Sequence, residues 1–125
     1  MRSTAKTLKQ FISGFGLPAY ASYTVPDDVQ LPFLTYPLKE PEWGQKTNFY
    51  IQGWYRVTSY SDMLETCDAI VSAIGEGIKL DAENGYVVLY PETPLVQIEA
   101  GEDEYDDIRS FYISLSLNAY HMPGV

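Results

Sequence analysis

The alternation in RSFYISLSLNAYH, residues 109 to 121, constrains the fold more than any other feature of the chain. Apolar side chains occupy every second position, which is the period of a β-strand that buries one face. We therefore expect this segment to be a central or near-central strand of a sheet. The inward row is Phe111, Ile113, Leu115, Leu117 and Ala119, and the outward row is Tyr112, Ser114, Ser116, Asn118 and Tyr120.

Three further segments have the composition and spacing of strands. Residues 33 to 38 predict a short strand, and Pro37, which has no N–H to donate, predicts that this strand lies at a sheet edge or ends there. PLVQIEA places Val96, Ile98 and Ala100 inward. NFYIQGWYRV, residues 48 to 57, alternates with Phe49, Ile51, Tyr55 and Val57 inward and Tyr50, Gln52, Trp54 and Arg56 outward.

The pair Asn84-Gly85 predicts a tight hairpin turn, because both residues tolerate the positive φ that a two-residue loop requires. Such a loop joins the strand-like runs IKLDA and YVVLY. It pairs Ala82 with Val87 and Leu80 with Leu89. The apolar pairs then share one face, as a half-buried hairpin requires.

Two segments have the period of amphipathic helices, in which residues three and four apart share a face. Ser3 is the predicted N-cap of the first helix, and Ser61 is that of the second, which Gly75 or Gly77 ends. The first helix has an apolar face of Leu8, Phe11, Ile12 and Phe15, and the second has Met63, Leu64, Cys67, Ile70, Val71 and Ile74.

Together these elements predict an α+β fold, a mainly antiparallel β-sheet with two α-helices packed on one face. The 125 residues fit a single domain, 1–125. Residues 17–32 are rich in Pro, Asp and Tyr without a period and predict an ordered loop or arm. Residues 101–108 predict an acidic hairpin tip.

Charge limits the classes of partner. The formal net charge is −9 at pH 7, which opposes binding to nucleic-acid phosphates or anionic membranes. No apolar run approaches the roughly 20 residues that cross a bilayer, so we expect a soluble protein without membrane contact. Arg2, Lys6 and Lys9 make the first ten residues basic, whereas the first acidic residue is Asp27. We therefore expect two electrically different ends.

The residues that would support catalysis or metal binding are sparse. His121 lies near the end of the chain, and Cys67 lies on the apolar face of a helix, where a core role is favoured over a reactive thiol. One cysteine and one histidine make neither a disulfide nor a Cys/His zinc site. GEDEYDDI lacks the ordered ligand positions of a calcium loop. We expect no enzyme activity, no cofactor and no bound metal.

Aromatic residues are the remaining indication of function. The chain contains 11 tyrosines and two tryptophans, residue types that are enriched in protein interfaces because they combine apolar area with a polar group. Several of them fall opposite the expected core, which indicates either a partner surface or a face covered by a loop. These residues are Tyr50, Trp54, Tyr90, Tyr112 and Tyr120.

The overall plan resembles the tail terminator, or tail completion, proteins at the head–tail junction of long-tailed bacteriophages. The segments that carry this resemblance are the basic first helix, LPFLTYPL, NFYIQGWYRV leading into SDMLETCDAIVSAI, and the ending DDIRSFYISLSLNAYH. The resemblance implies a homo-oligomeric ring, commonly a hexamer, that caps the tail tube protein and meets the head connector or closure protein. It implies a virion protein assembled in the host bacterial cytoplasm, with DNA passing through without specific binding.

Other functions fit the same pattern. A head-closure ring protein, a tail tube subunit and a small non-viral ligand- or peptide-binding module remain alternatives, and an acid-dependent enzyme is the last of them. Solution size separates rings from modules. The candidate interface comprises the basic start, the outward aromatic row and the acidic tip, namely Arg2, Lys6, Lys9, Tyr50, Trp54, Arg56, Glu102, Asp103, Glu104, Asp106, Asp107 and Tyr112.

Overall fold

Two α-helices and six β-strands make up the computed structural model, which describes residues 2–101 and 106–121, with the side chains of Arg2 and His121 left undescribed. A short 3₁₀ helix, Val57–Ser59, precedes the second α-helix. The helices are α1 (Arg2–Ser13) and α2 (Tyr60–Ile74), and the strands are β1 (Ala19–Ala21), β2 (Phe33–Tyr36), β3 (Lys46–Arg56), β4 (Ile78–Ala82), β5 (Gly85–Ala100) and β6 (Ile108–His121).

The six strands form one sheet in the order β1-β2-β3-β6-β5-β4. Only β1 and β2 run parallel, and the other neighbouring strands are antiparallel. The strand β6 lies between β3 and β5, so the prediction of a central strand is confirmed. The α+β class and the mainly antiparallel sheet are confirmed as well.

The core lies between one face of the sheet and the two helices. Leu8 and Ile12 of α1 and Met63 and Ile70 of α2 are fully buried. Removing such a side chain from water contributes roughly 1.5–3 kcal/mol, so these contacts hold the helices in place. The inward row of β6 is buried as predicted: Phe111, Ile113, Leu115, Leu117 and Ala119.

A bulge divides β5 into two halves with different registers. Pro91 pairs with Leu115 and Val96 pairs with Ile113, so the four residues 92–95 lie opposite Ser114 alone. Strand β5 thus has three more residues than β6 at this point. Because three is an odd number, the inward positions of β5 are odd-numbered before the bulge and even-numbered after it. The first half buries Val87 and Leu89.

The first correction concerns the edge of the sheet near β2. Residues 17–32 were expected to form only a loop or arm, yet they contain β1, whose three residues are too few for a period to reveal. Consequently β2 is not an edge strand. The alternative prediction for Pro37 is confirmed, because β2 ends at Tyr36.

The second correction concerns the β4–β5 hairpin, whose register differs by two residues from the prediction. Leu80 pairs with Val87 and Ala82 pairs with Gly85, so the turn consists of residues 83 and 84. A shift of two residues keeps every side chain on its face, so the apolar pattern alone could not distinguish the two registers.

The third correction concerns apolar residues that were expected in the core and are exposed. Val57, Leu64, Val96 and Ile98 were expected in the core, but they are 39%, 38%, 38% and 41% exposed, and Ala100 is exposed too. The side of the sheet that a residue faces is set by its register, whereas burial also requires a helix above it.

Ser3 is not the N-cap of α1, because it lies inside the helix. Ser59 rather than Ser61 precedes α2, and Gly75 follows it with φ +56, as the predicted glycine stop requires. The acidic tip falls partly on residues 102–105, which lie outside the described part of the chain. Within the described part, no helix has the length and apolar character to cross a bilayer.

Candidate functional site

The sheet face opposite the helices is lined by aromatic side chains. Period-2 alternation places them there, since each inward core residue is followed by an outward one. Tyr20 and Phe33 join this face through strands β1 and β2. The aromatic face, as we call it, consists of Tyr20, Phe33, Tyr50, Trp54, Tyr86, Tyr90, Tyr112 and Tyr120.

Neighbouring rings on the aromatic face stack across strands. The ring centroids of Tyr50 and Tyr112 lie 4.8 Å apart with an interplanar angle of 22°. Those of Tyr86 and Tyr120 lie 5.1 Å apart at 25°. Such pairs contribute about 0.5–1.5 kcal/mol beyond their buried area. Stacking therefore orders these four rings on the aromatic face.

Loops border the aromatic face at two places. Trp43, which is 61% exposed, makes an edge contact with the ring of Tyr120 at 5.7 Å. The Gly44 N–H donates to the Ala119 carbonyl at 3.1 Å, so this loop is anchored on β6. At the other place, a cavity of about 330 Å³ is lined by Val29, Gln30, Leu31, Phe33, Trp54, Arg56 and Ile108.

Trp54 is held in one orientation. Its Nε1–H donates to Thr35 Oγ1 at 3.0 Å, and its ring stacks on Phe33 at 6.3 Å. Because the indole N–H already has a partner, the exposed edge of the ring offers apolar area to a binding partner.

An ion pair joins β3 to β5 across β6, beside the stacked tyrosines. Lys46 Nζ lies 2.9 Å from Glu92 Oε1, and hydrogen bonds from Lys46 and Ser116 lower the pKa of the Glu92 carboxyl. The pair borders a cleft of about 300 Å³ that Asn48, Tyr112 and other residues line. This pair was not predicted, because its partners are far apart in sequence and meet only through the sheet.

The acidic tip meets a cation of its own subunit. Arg56 Nη1 lies 3.0 Å from Asp107 Oδ2, and both side chains are more than half exposed. Asp106 is exposed as well. The structure thus brings two of the predicted interface residues together within one chain, while Glu102, Asp103 and Glu104 lie outside the described residues.

The basic start of the chain lies far from the tip. The Glu83 N–H donates to Ser3 Oγ at 3.2 Å, which fixes the beginning of α1 at the β4–β5 turn. Lys6 and Lys9 are exposed. Lys6 also borders a groove of about 180 Å³ whose lining includes Asp81 and Glu83, so this patch is of mixed charge.

Cys67 is buried and has the environment of a core residue. Burial, with a smaller contribution from the Asp68 carboxylate, raises the pKa of its thiol to about 11. A thiol with so high a pKa is a poor nucleophile at neutral pH. In the described ranges, 2–101 and 106–121, no three His, Cys, Asp or Glu side chains are grouped closely enough to hold a metal ion.

Tyr50, Trp54 and Tyr112 share the aromatic face as predicted, whereas Lys6 and Lys9 lie elsewhere. The contribution of Tyr20 and Phe33 was missed because β1 was not predicted, and the only signal for it was the alternation of Ala19, Tyr20 and Ala21. A scan against protein-family models finds no match to this chain, and a search of the curated proteins finds none either.

Proposed function

We propose that this protein is a structural subunit of the head–tail junction of a long-tailed bacteriophage or prophage. In this role it assembles into a homo-oligomeric ring, a hexamer in our hypothesis, that terminates the tail tube. The other side of the ring joins the head connector. The protein is then part of the virion, and DNA passes through the ring without specific binding.

The observation that carries this proposal is the separation of two charged patches along the β5–β6 hairpin. The lysines of α1 lie near the end of the hairpin where Gly85 pairs with His121, because Ser3 of the same helix accepts a hydrogen bond from the adjacent β4–β5 turn. Asp106 and Asp107 lie at the other end. Since β6 has 14 residues, about 45 Å separates the two ends at the usual rise per residue.

A ring requires this kind of arrangement. Its subunits meet head to tail, so each contact joins two different patches of the same molecule. Opposite charge on the two patches favours the correct orientation and disfavours contacts between like patches. The exposed Lys6 and Lys9 supply the basic side of this contact, within a patch that also contains Asp81 and Glu83, and Asp106 and Asp107 supply the acidic side.

The aromatic face supports contact with a further protein, for which the tail tube is our candidate. Tyr and Trp are enriched in the centres of protein interfaces, and the rings here are already ordered by stacking. The net charge of −9 would repel the phosphates of passing DNA and keep it from adhering. A head-closure protein or a tube subunit would use the same surfaces.

Light scattering tests ring formation, first with the purified protein and then with tail tube protein added. We expect a ring-sized species in at least the second condition. A monomer in both conditions contradicts the proposal.

A charge-swap experiment tests the contact itself. One variant carries Asp106→Lys and Asp107→Lys, the other carries Lys6→Glu and Lys9→Glu, and we expect each alone to lose assembly. In a ring in which the two variants alternate, every contact again joins patches of opposite charge, so we expect mixing to restore assembly. Lys39→Glu serves as the control for a charge change at another place. Assembly that survives in both single preparations, or that mixing does not restore, refutes the head-to-tail contact.

A further inference from the structure

The cleft of about 300 Å³ on the aromatic face is built from three strands. Strand β6 contributes the outward residues Tyr112 and Ser114, and β3 contributes Asn48, whose partner in the ladder with β6 is also an outward residue. The bulge of β5 contributes Glu92 and Thr93. The bulge thus supplies one wall of the cleft, and the regular strands β3 and β6 supply the rest.

An ion pair closes one side of this cleft. The Glu92 carboxylate accepts hydrogen bonds from Lys46 and from the Ser116 hydroxyl, and Ser116 is only 2% exposed although it faces outward. The Lys46 and Glu92 charges compensate each other at 2.9 Å. This side of the cleft is therefore close to neutral, and Ser116 anchors its carboxylate from below.

The other polar side chains of the cleft have unused hydrogen-bonding groups. Within residues 2–101 and 106–121, nothing donates to or accepts from the side chains of Asn48, Thr93 and Ser114 or the hydroxyl of Tyr112. Asn48 and Thr93 are exposed, whereas Ser114 and Tyr112 are half-buried. Amide and hydroxyl groups both donate and accept. Four neutral side chains of this kind therefore line one cleft.

Tyr112 also brings an ordered ring to the cleft. It stacks on Tyr50 with ring centroids 4.8 Å apart. Burial, with smaller contributions from Tyr50 and Glu99, raises the pKa of the Tyr112 hydroxyl, so this group stays neutral at physiological pH. A ligand of the cleft therefore meets apolar ring area as well as polar groups.

These features restrict the chemistry of the ligand. An apolar molecule would remove the four neutral groups from water without giving them partners, which is unfavourable. An ionic ligand needs an unpaired opposite charge, yet among the described residues the only charged side chains that line the cleft are Lys46 and Glu92, which pair with each other. The ligand is therefore neutral and has adjacent groups that both donate and accept.

A pyranose sugar has this combination of properties. Its hydroxyls project from the edge of the ring, and its C–H groups form a flat apolar face that packs on an aromatic ring. A volume of about 300 Å³ is at the lower end of the range for small-molecule sites, which suits one sugar ring better than a peptide segment. Because Asn48 and Thr93 are exposed, the bound ring is either a free sugar or the end of a glycan chain.

We propose that this cleft binds a neutral pyranose sugar. The sugar hydroxyls bond to Asn48, Thr93 and Ser114, its C–H face packs on the ring of Tyr112, and the ion pair borders it on one side. The proposal goes beyond the assembly of a ring and does not depend on it. Binding is measured on the isolated protein, in which no tube protein covers the aromatic face.

Chemical shifts of the full chain test the proposal with methyl β-D-glucopyranoside and methyl β-D-galactopyranoside. We expect saturable shifts of the Asn48, Thr93 and Ser114 amides with at least one of them, with a Kd on the order of 1–10 mM for so small a ligand. Cellobiose distinguishes the two sources of the sugar. Tighter binding of cellobiose than of the glucoside assigns the cleft to the end of a glycan chain, and binding that is no tighter assigns it to a free sugar.

Two variants test the hydrogen bonds. Asn48→Ala removes the amide, and Thr93→Val removes the hydroxyl with almost no change of shape. We expect each to weaken binding of the glycoside about fivefold. Gln10→Ala removes an exposed amide on α1, on the other side of the sheet, and should change binding by less than about twofold. Thermal melting checks folding, and the wild-type shifts locate the site if a variant unfolds.

The ion pair allows a test of charge. Methyl β-D-glucuronide adds a carboxylate to the ring of the glucoside and should bind the wild type at least about threefold more weakly, because the cleft has no unpaired cation. Glu92→Gln leaves Lys46 without its partner, so the glucuronide should then bind more tightly than the glucoside. A purely structural role of the pair would change the binding of both ligands alike.

The proposal is overturned if neither methyl glycoside gives saturable shifts, or if the shifts fall outside the cleft. It is also overturned if both Asn48→Ala and Thr93→Val bind the glycoside as the wild type does. Equal binding of the glucuronide and the glucoside to the wild type would assign the cleft to an anionic ligand instead.

Discussion

The ring of Phe111 lies against the backbone of Gly53, so closely that a Cβ atom at Gly53 would fall 2.2 Å from its Cε2 atom. The two residues pair across β3 and β6, and Phe111 is fully buried. The missing side chain of Gly53 thus provides the space that the largest side chain of the β6 row occupies.

Gly53→Ala should therefore destabilise the protein. The methyl group overlaps a ring in a closely packed core, and such overpacking costs about 1–3 kcal/mol. Urea unfolding measures the loss. The double variant Gly53→Ala with Phe111→Leu should recover part of the alanine penalty, because the shorter side chain vacates the space. If alanine at position 53 costs the same in both backgrounds, the close approach to Phe111 is not what selects glycine.

Leu115→Ala should cause a folding defect. Leu115 is 1% exposed and pairs with both Phe49 and Pro91, so its truncation leaves a cavity that costs about 2–5 kcal/mol. Ser114→Ala is the matched control on the outward face and should change stability by less than about 0.5 kcal/mol. Similar melting of the two variants would contradict the assignment of the buried face.

Reversing the charge at Asp106 and Asp107 should leave folding nearly intact. The ion pair with Arg56 is lost, but both partners are more than half exposed, and such pairs contribute between about 0 and 1 kcal/mol. Assembly should be impaired if the tip meets a basic neighbour. Thermal melting is compared with the yield of tails of normal length joined to heads. Normal melting together with wild-type yields would show that the tip is only a solvated loop.

Tyr23→Asn should stabilise the protein. Tyr23 has φ 74 and a fully exposed side chain, so it bears the strain of the left-handed region without burial to offset it. That region costs an L-residue roughly 1–2 kcal/mol, and Asn and Gly tolerate it better. Denaturant melts should rank Tyr23→Asn and Tyr23→Gly above the wild type and Tyr23→Val below it. The reverse order would exclude strain at this position.

Stability should fall between about pH 9 and pH 11. Burial raises the pKa of Cys67 from its ordinary 9.0 to about 11, so the folded protein retains the thiol proton where the unfolded chain has lost it. This contribution is complete below the unfolded pKa and disappears as the pH rises through the folded one. Burial also raises the pKa values of Tyr36 and Tyr55, with the same sign.

Cys67→Ala isolates the thiol, because the two tyrosines remain. The variant should lose less stability between pH 9 and pH 11 than the wild type does, whatever its stability at neutral pH. Parallel pH profiles of the two proteins would mean that the thiol does not contribute.

Local sequence patterns were sufficient for the elements that are long enough to show a period. The row from Phe111 to Ala119 determined the inward face of β6, and the stripe around Met63 located α2. The strand β1 could not be found in this way, because three residues have no measurable period and their parallel partner β2 is distant in sequence. The sequence also could not predict which inward residues a helix covers, since alternation gives the face of Ile98 but not its distance from the nearest helix.

The candidate site was predicted only in part, because local patterns give the face of a residue but not its partner on another strand. Alternation placed Tyr50, Trp54 and Tyr112 on one face, and the register of β3 with β6 confirmed it. The pairing of Lys46 with Glu92 depends on a bulge and on strand order. Neither is encoded within one segment, so only the folded sheet reveals it.

The bulge at residues 92–95 has a consequence for how the length of this chain can vary. Loss of one residue there would turn the distal part of β5 over, so that Val96 and Ile98 would join the tyrosines and Gln97 and Glu99 would face α2. Loss of two residues would leave both faces as they are. Natural or engineered length variants that keep the hairpin working should therefore differ at this site by even numbers of residues.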